Sequence, residues 1–370
     1  MQVLPALDMG GVERHVLTLS AAVARAGGTS LVASSGGRLV PAVERGGRHV
    51  TLPLDRRGPL AIRANARRLE AAIRENGIDL LHAHSRAPAW SAWLAAQRTG
   101  VALVTTYHGT YSEGFPGKRL YNSVMARGGR VIAPSRFVAE TVAARHATPP
   151  DRLRVVAHGV DTAIFDPAVV VADRLVRMAA SWRVPDGAPT ILLPGRLTRW
   201  KGQAVLIGAL ARMSRRDAVV VLTGEARRQG YARELATLAE TLGVAGRVRM
   251  VGHIEDMPAA LMLSDVVVNA STDPEAFGLV IAEALAMGRP VIASDHGAAR
   301  ETVVEGETGW RVAPGDEAAL AARLDAVLAM AAADRLAIGQ AARGFVLAHH
   351  DLGRMQDATL DVYEELLAGR

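Results

Sequence analysis

Two glutamates, Glu275 and Glu283, are the carboxylates best spaced for ligand chemistry in this chain. They lie in the segment Ser271–Gly288, which follows an apolar run ending at Asn269. The pattern predicts a helix that begins near Gly278, so Glu275 precedes the helix and Glu283 lies about two turns along it. Carboxylates at this spacing can address the two ends of one elongated ligand, such as a sugar and a ribose. A solvated pair of glutamates is the alternative that spacing alone leaves open.

The predicted start of this helix has the chemistry of an anion site. Pro274 and Gly278 frame it, which leaves the backbone amides of Phe277, Gly278 and Leu279 without intrahelical partners. Unpaired amides and the positive end of a helix dipole together favour a diphosphate. Glu283 stands among apolar neighbours, which indicates that its carboxylate has a specific partner.

A second segment, Pro194–Gly202, supplies positive charge after another predicted strand. Arg196 can hold a phosphate through its guanidinium fork, and Lys201 adds a point charge at the start of the next helix. Of the 43 basic residues in the chain, only Lys118 and Lys201 are lysines. A solvated loop is the competing interpretation of this segment.

Polar residues also follow the predicted strands of the first half. Gly10 and Gly11 precede a helix and would let a phosphate or a sugar approach the backbone, although paired glycines also make ordinary turns. His108 is a candidate for hydrogen bonding to a sugar hydroxyl or for stabilising nearby positive charge, and a purely structural histidine is the alternative. His84 and Arg86 follow the preceding strand.

The segment Tyr111–Tyr121 mixes basic and aromatic residues beyond His108. Its cations are Lys118 and Arg119. We expect this segment to meet an anionic acceptor or a membrane surface, with a solvated loop as the competing interpretation.

All of these residues follow short apolar runs that alternate with helical patterns. The predicted strands are Val3–Leu7, Ser30–Ser34, Val50–Leu54, Asp79–Ala83, Ala102–Thr106, Arg130–Ala133, Leu153–Ala157, Thr190–Leu193, Ala218–Thr223, Val248–Val251, Asp265–Asn269, Pro290–Ser294 and Gly309–Val312. Such alternation predicts parallel sheets covered on both faces by helices. The expected fold class is therefore α/β, with two Rossmann-like, doubly wound domains that face each other across a cleft.

The pattern also predicts where the domains divide. We expect an amino-terminal domain over residues 1–165 and a second domain over residues 166–350. An amphipathic helix over residues 351–370 completes the chain. At 370 residues the chain is long enough for two domains of ordinary size.

Composition excludes several classes of protein. No apolar run is long enough to cross a bilayer, no signal peptide is evident, and there is no cysteine. We therefore expect a cytoplasmic protein, with association with the inner face of the membrane left open. A net charge of +6 suits an anionic partner, but scattered basic residues and 4% aromatic content argue against nucleic acid.

Sequence motifs for other enzyme classes are missing. The chain has no Gly-x-Gly-x-x-Gly, no phosphate-binding Walker loop and no Gly-x-Ser-x-Gly elbow. It also has no Asp-x-Asp pair that would hold a nucleotide-bound metal. We therefore expect neither a metal nor a cofactor.

Together these segments resemble the retaining, nucleotide-sugar-dependent glycosyltransferases of the GT-B fold, specifically family four (group 1). The resemblance covers nearly the whole chain. It implies that residues 1–165 form the acceptor-side domain, that residues 166–350 form the nucleotide-sugar-binding domain, and that the helix over residues 351–370 returns to the amino-terminal domain. Its carriers are Gly10-Gly11, Ser135-Arg136-Phe137, His158-Gly159-Val160-Asp161 with Phe165 and Pro167, Gly195-Arg196-Leu197 with Lys201-Gly202, Gly252-His253, and Glu275 spaced to Glu283.

The resemblance implies roles for individual residues. Glu283 would bind the donor ribose, and Glu275 would lie beside the transferred sugar. Arg196 and Lys201 would neutralise the diphosphate, and His108 would face the sugar. The remaining donor contacts would come from Gly10 and Gly11, from the amides of Phe277, Gly278 and Leu279, and from the main chain of His253 and Ile254. On the acceptor side the candidates are His84, Arg86, Lys118 and Arg119.

The expected activity is transfer of a hexose from a UDP- or GDP-linked donor to a saccharide or lipid-linked acceptor, in synthesis of cell-envelope polysaccharide or lipopolysaccharide. The resemblance implies front-face substitution, in which the leaving phosphate helps to deprotonate the acceptor hydroxyl. Two alternatives remain open at this point. One is a nucleotide-sugar epimerase of the same fold, and the other is a catalytically silent nucleotide-sugar-binding protein.

Overall fold

The computed structural model describes residues 1–8, 10–114, 116–225 and 229–369. Met9 in the predicted glycine turn, Phe115 in the predicted acceptor segment and Arg370 at the end of the predicted tail helix lie outside these ranges. The described chain forms two compact units, which are residues 1–157 with 353–370 and residues 158–352.

The first unit contains a seven-stranded parallel sheet of order β3-β2-β1-β4-β5-β6-β7. The strands are β1 (Gln2–Val3), β2 (Leu31–Ser34), β3 (Arg48–Thr51), β4 (Leu80–Ala83), β5 (Ala102–Thr106), β6 (Arg130–Ala133) and β7 (Leu153–Val155). The helices are α1 (Gly11–Arg25), α2 (Val40–Glu44), α3 (Pro59–Asn76), α4 (Arg86–Thr99), α5 (Lys118–Asn122) and α6 (Arg136–His146).

The second unit contains a six-stranded parallel sheet of order β10-β9-β8-β11-β12-β13. The strands are β8 (Thr190–Leu193), β9 (Val219–Thr223), β10 (Val248–Gly252), β11 (Val266–Asn269), β12 (Val291–Ser294) and β13 (Gly309–Val312). The helices are α7 (Ala172–Trp182), α8 (Gln203–Arg212), α9 (Gln229–Thr241), α10 (Met257–Leu263), α11 (Leu279–Ala286), α12 (Ala299–Thr302), α13 (Glu317–Ala329) and α14 (Ala332–His349).

The two strand orders explain where the polar residues gather. In each sheet the chain reverses its direction of growth beside the first strand, between β1 and β4 and between β8 and β11. Ligands of doubly wound sheets bind outside the carboxyl ends of the strands at such a reversal. Central strands such as β8 and β11 are fully buried, as continuous apolar runs predict.

The predicted strand Val3–Leu7 is wrong in extent, since β1 covers only Gln2–Val3. Pro5 has no amide hydrogen to donate to a ladder. The chain beyond β1 nonetheless stays against β2 and its loop, because Leu4 donates to the carbonyl of Ala33 at 3.2 Å and Leu7 to that of Gly36 at 2.8 Å. Leu4 and Leu7 therefore remain buried without being part of the ladder.

The tail helix, α15 (Leu352–Ala368), belongs from Gly353 onward to the first unit. Gln356 donates from Nε2 to the carbonyl of Thr18 at 2.9 Å, and the hydroxyl of Tyr363 lies 2.6 Å from Nδ1 of His82. Glu365 accepts hydrogen bonds from Arg130 at 2.8 Å and from Nε of Arg154 at 2.9 Å. Side chains along the helix therefore attach it to α1, β4, β6 and β7.

We expect Glu365→Gln to loosen this helix, because hydrogen bonds from Arg130 and then Arg154 lower the pKa of Glu365 from 4.5 to about 2. A lowered carboxyl pKa stabilises the folded state fully above about pH 4.5, and the effect is lost as the pH falls through about 2. Amide hydrogen exchange over residues 352–368 should therefore be faster in the variant at pH 7, and the difference should shrink towards pH 3. The exposed neighbour Glu364→Gln is the control, and equal exchange in both variants would contradict the assignment.

Candidate active site

In the second unit, loops at the carboxyl ends of neighbouring strands are hydrogen-bonded to one another. The amide of Thr272, after β11, donates to the carbonyl of Trp200, after β8, at 2.7 Å. Nε2 of His296, after β12, donates to the carbonyl of Ser271 at 2.7 Å. The amide of Ala298 donates to the carbonyl of Glu275 at 3.1 Å. The loop that contains Glu275 is thereby fixed from both sides.

Two glycines in the left-handed region permit this close approach. Gly202 has φ +72, and a Cβ there would lie 1.8 Å from the carbonyl oxygen of Ala270. Gly297 has φ +58, and a Cβ there would lie 2.7 Å from the carbonyl oxygen of Glu275. Both the backbone conformation and the backbone contact exclude any larger residue. Glycine at these positions therefore lets the loops after β8 and β12 pack against the loop after β11.

The Glu275 carboxylate is the centre of this arrangement. Its Oε1 accepts hydrogen bonds from Nζ of Lys201 at 2.7 Å, from Nδ2 of Asn269 at 2.8 Å and from the hydroxyl of Ser271. Only 14% of each charged side chain of the Lys201–Glu275 pair is exposed. Among the described residues, every hydrogen bond to this carboxylate goes to Oε1.

The pKa of Glu275 shows which effect dominates. Burial raises it, but the charge of Lys201 and the hydrogen bonds from Lys201, Ser271 and Asn269 together outweigh burial and lower it. Glu275 is therefore a carboxylate at neutral pH, fixed in position by donors on one oxygen.

The two predicted cations lie in the same loop but differ in environment. Most of the Lys201 side chain is buried, and its ammonium, which donates to Glu275, also lies 4.5 Å from the centre of the Trp200 ring. Arg196 is exposed, and its carbonyl accepts a hydrogen bond from Nε2 of Gln203 at 3.0 Å. Lys201 is thus a fixed charge, whereas Arg196 has a guanidinium that reaches solvent.

Helix α11 begins where the sequence predicts. Gly278 precedes it with φ +77, and Leu279 is its first residue. The ring of Phe277 is buried against His158 and His350, with ring centres 5.4 and 5.3 Å apart. Phe277 therefore anchors the start of α11 through its side chain.

Glu283 is half-buried on α11, between the buried residues Ala282 and Ala284. Its position on an otherwise apolar helix is the one expected from the sequence.

His253 and Ile254 follow β10 and line a cavity of about 650 Å³ within the second unit. Trp182, Met178 and Arg174 from α7 also line it. His253 is exposed and Ile254 is half-buried.

In the first unit, the predicted residues His84 and His108 come together. Nδ1 of His84 lies 3.0 Å from Nε2 of His108, and the ring of His15 packs against both. Gly10 caps the amino end of α1, and a side chain at Gly11 would meet no described atom within 4 Å. One ring nitrogen from each of the three histidines lies within 4.8 Å of the other two. Within the described ranges, this is the one group of three side chains close enough together to share a metal ion.

The acceptor-side candidates form a second cluster of the first unit. Arg86 donates to Oδ1 of Asn122 at 2.9 Å, and its guanidinium lies 4.4 Å from the centre of the Tyr111 ring. Lys118 donates to the hydroxyl of Ser112 at 2.5 Å. The exposed Arg119 donates from Nε to the carbonyl of Arg145 at 2.9 Å. Arg86 and Lys118 thus contact the 111–122 segment, whereas Arg119 links that segment to α6.

Sequence reasoning missed the residues that orient these groups. Asn269 and Ser271 hold Glu275, His296 and Gly297 support its loop, and Gln2 contacts His84. A polar residue at the end of the apolar run Val266–Asn269 was the available signal for Asn269. Nothing in the sequence distinguishes Gln2 or Ser271 from ordinary surface residues.

Comparison with known proteins decides the family. The model of Glycosyltransferase Family 4 matches residues 9–164, and that of Glycosyl transferases group 1 matches residues 177–345. D-inositol 3-phosphate glycosyltransferase of Xylanimonas cellulosilytica is 34% identical over 359 residues, covering 87% of this chain and 84% of the relative. The chain belongs to the family 4, group 1 glycosyltransferases.

Other proteins are similar to this chain in sequence or in fold. Phosphatidyl-myo-inositol mannosyltransferase of Mycolicibacterium smegmatis is 30% identical, covering 96% of this chain and 90% of the relative. A glycosyltransferase of Rickettsia africae has a TM-score of 0.90 and 32% identity, covering 99% of this chain and 98% of its own. Anabaena Alr3699/HepE, solved with UDP and glucose, shares the fold at a TM-score of 0.85 and 22% identity, over 99% of both chains.

The predicted GT-B fold class is therefore confirmed, and the protein is an enzyme that transfers a sugar. The epimerase and the silent binding protein are not retained. Within the described residues, no helix is both long and apolar enough to cross a membrane.

A double-mutant cycle tests the central ion pair. Lys201→Met and Glu275→Gln should each lower the free energy of unfolding by about 3 kcal/mol, since each leaves a mostly buried charge without its partner. The double variant should be less destabilised than the sum, with a coupling of roughly 1–3 kcal/mol in urea unfolding. The exposed pair Asp173–Arg177 is the control, with an expected coupling below about 0.5 kcal/mol. Equal couplings for the two pairs would contradict the model of a buried ion pair.

Proposed function

We propose that the second unit binds a nucleotide-diphosphate sugar, with Glu275 beside the sugar. The observation that carries this proposal is the one-sided fixation of the Glu275 carboxylate. Lys201, Asn269 and Ser271 all bind Oε1, so Oε2 keeps its lone pairs for ligand hydroxyls. An ionised carboxylate with one oxygen fixed is a preorganised acceptor for a sugar hydroxyl.

The diphosphate of the donor would lie against Arg196, Lys201 and the start of α11. The exposed guanidinium of Arg196 can bind two phosphate oxygens at once. Lys201 would share its charge between Glu275 and the phosphates, and the amides of Phe277, Gly278 and Leu279 would add hydrogen bonds.

The nucleoside would extend from the diphosphate. We assign the ribose hydroxyls to Glu283, and the base to main-chain contacts with His253 and Ile254 at the 650 Å³ cavity. The relative named HepE was solved with UDP, which supports a nucleoside diphosphate without fixing the base here. In the first unit, Gly10 and Gly11 would allow the backbone to approach the diphosphate.

The proposed reaction retains the configuration of the sugar and needs no metal. The bond from the anomeric carbon to the diphosphate breaks, and its electron pair leaves with the phosphate oxygen. The acceptor oxygen bonds to the same face of that carbon, and its proton passes to the departing phosphate. Arg196 and Lys201 stabilise the negative charge that builds on the diphosphate, and His108 stabilises the positive charge that develops on the sugar.

We infer that the acceptor is a hydroxyl of an anionic saccharide or lipid-linked molecule. Arg86, Lys118 and Arg119 supply positive charge in the first unit, with Arg86 against the Tyr111 ring. Two relatives are named for acceptors that combine inositol with phosphate, which supports an anionic acceptor of this kind. A lipid-linked acceptor would bring the protein to the inner face of the membrane.

The decisive assay measures release of nucleoside diphosphate from UDP- and GDP-sugars. We expect this release to depend on an added acceptor, for which inositol 3-phosphate, phosphatidylinositol and uncharged inositol are the candidates to test. NMR of the product should show that the sugar keeps the anomeric configuration it has in the donor. Activity should survive excess chelator because Arg196 and Lys201 would neutralise the diphosphate in place of a metal ion. Loss of activity in chelator with recovery on adding magnesium or manganese would reject metal independence. Release without any acceptor would reject the proposed transfer.

Glu283→Gln should weaken donor binding about tenfold or more, because a carboxylate that accepts two ribose hydroxyls loses a charge-assisted bond worth roughly 1.5–3 kcal/mol. Calorimetry with the donor, and separately with the free nucleoside diphosphate, measures this loss. Glu240→Gln, on the exposed face of α9, is the control. Unchanged affinity in Glu283→Gln would remove the ribose assignment.

Arg196→Ala and Lys201→Ala should each lower kcat by roughly 10²–10³-fold, the effect of removing one preorganised donor to developing charge. Lys201→Arg should also be impaired, since a planar fork does not replace a compact ammonium on Oε1 of Glu275. Steady-state kinetics on folded variants are the measurement, with the exposed Arg216→Ala as control. Near-normal turnover of Lys201→Ala would place stabilisation of the leaving group elsewhere.

A further inference from the structure

In the first unit, Gln2, His84 and His108 form a chain of hydrogen bonds. The partners of Gln2 determine which atom donates in each bond of this chain. Gln2 on β1 and His84 after β4 are both buried, with 3% and 2% of their surfaces exposed. In the parallel pairing of β1 with β4, Gln2 is opposite His82. His84 comes two residues after His82 and therefore projects on the same face of the sheet as Gln2. His108 follows β5, the next strand of the sheet.

The orientation of the Gln2 amide is fixed first. Its Nε2 donates to the carbonyl of Val16 on α1 at 3.0 Å, and a carbonyl can only accept. The amide oxygen, Oε1, therefore faces Nε2 of His84 at 3.1 Å. Since that oxygen also only accepts, Nε2 of His84 must carry the hydrogen.

The tautomer of His84 then fixes that of His108. Burial favours an uncharged ring, and in an uncharged imidazole with a hydrogen on Nε2, Nδ1 has the lone pair. Nδ1 of His84 lies 3.0 Å from Nε2 of His108. Nε2 of His108 must therefore donate, which leaves the lone pair of neutral His108 on Nδ1.

We propose that Gln2 and His84 are positioning residues that hold His108 as its Nε2–H tautomer, with Nδ1 as a hydrogen-bond acceptor. An acceptor at Nδ1 suits a ligand hydroxyl and disfavours a phosphate or carboxylate oxygen. It also suits developing positive charge on a sugar. This consequence for catalysis rests on the proposed function, in which His108 faces the transferred sugar, whereas the tautomer itself does not.

The tautomer can be measured without substrate. Long-range proton–nitrogen NMR of the imidazole rings distinguishes a protonated from a bare ring nitrogen. We expect Nε2–H and bare Nδ1 on both His84 and His108 in metal-free protein, unchanged by added zinc. The opposite tautomer on His108 would overturn the proposal. Zinc-dependent shifts of His15, His84 and His108 together would also overturn it, because the cluster would then be a metal site.

Variants of His84 test the effect on transfer. His84→Leu removes the acceptor for Nε2–H of His108, and we expect kcat to fall about tenfold, the scale of one hydrogen bond, with little change in the donor KM. His84→Asn restores an oxygen near the position of Nδ1 and should recover most of the rate. His49→Gln, on β3, is the control. Equal kcat values for the Leu and Asn variants, with both proteins folded by circular dichroism, would overturn the positioning role.

The two measurements separate this proposal from the proposed function. If the NMR tautomer is as expected and is lost in His84→Leu while transfer is unaffected, the tautomer assignment holds and the role of His108 at the sugar is wrong. If the wild-type protein transfers no sugar, the proposed function fails and the NMR result still decides the tautomer.

Discussion

The ion pair between Lys201 and Glu275 is the interaction on which the second unit's site depends. Burying two opposite charges is favourable only when their geometry is good and further hydrogen bonds help to offset the cost of removing them from water. Asn269 and Ser271 supply those bonds, all on Oε1. The pair also requires that the loop after β8 reach the loop after β11 at backbone distance. Gly202, against the carbonyl of Ala270, makes that approach sterically allowed. The ion pair therefore depends on the close backbone packing that Gly202 permits.

Much of this could be predicted from the sequence because continuous apolar runs and helix-start patterns are local signals. The boundaries of β5, β6, β8 and β13 and the start of α11 at Leu279 agree with the predicted ones. The failure at β1 is also local, since the proline at position 5 interrupts the ladder while burial persists.

The contacts within the sites could not be predicted in the same way. That Lys201 pairs with Glu275 depends on β8 and β11 being neighbours, which is a property of strand order. Gln2 and Ser271 act only through partners that are distant in sequence or placed by a turn, so their types carry no signal by themselves. The sequence identified charged and aromatic residues, and topology decides which small polar residues orient them.

The two units place polar groups at their strand ends by different physical means. In the second unit the Glu275 carboxylate and the Lys201 ammonium are held by an ionic hydrogen bond, which suits a ligand that carries charge. In the first unit, the chain that leads to His108 consists of the Gln2 amide and the His84 imidazole, which need no charge to form their hydrogen bonds. Neutral donors and acceptors tolerate burial at lower cost than ions and define direction through tautomer. A chain of this kind can orient a ligand hydroxyl without attracting an anion, whereas the charged groups of the second unit favour one.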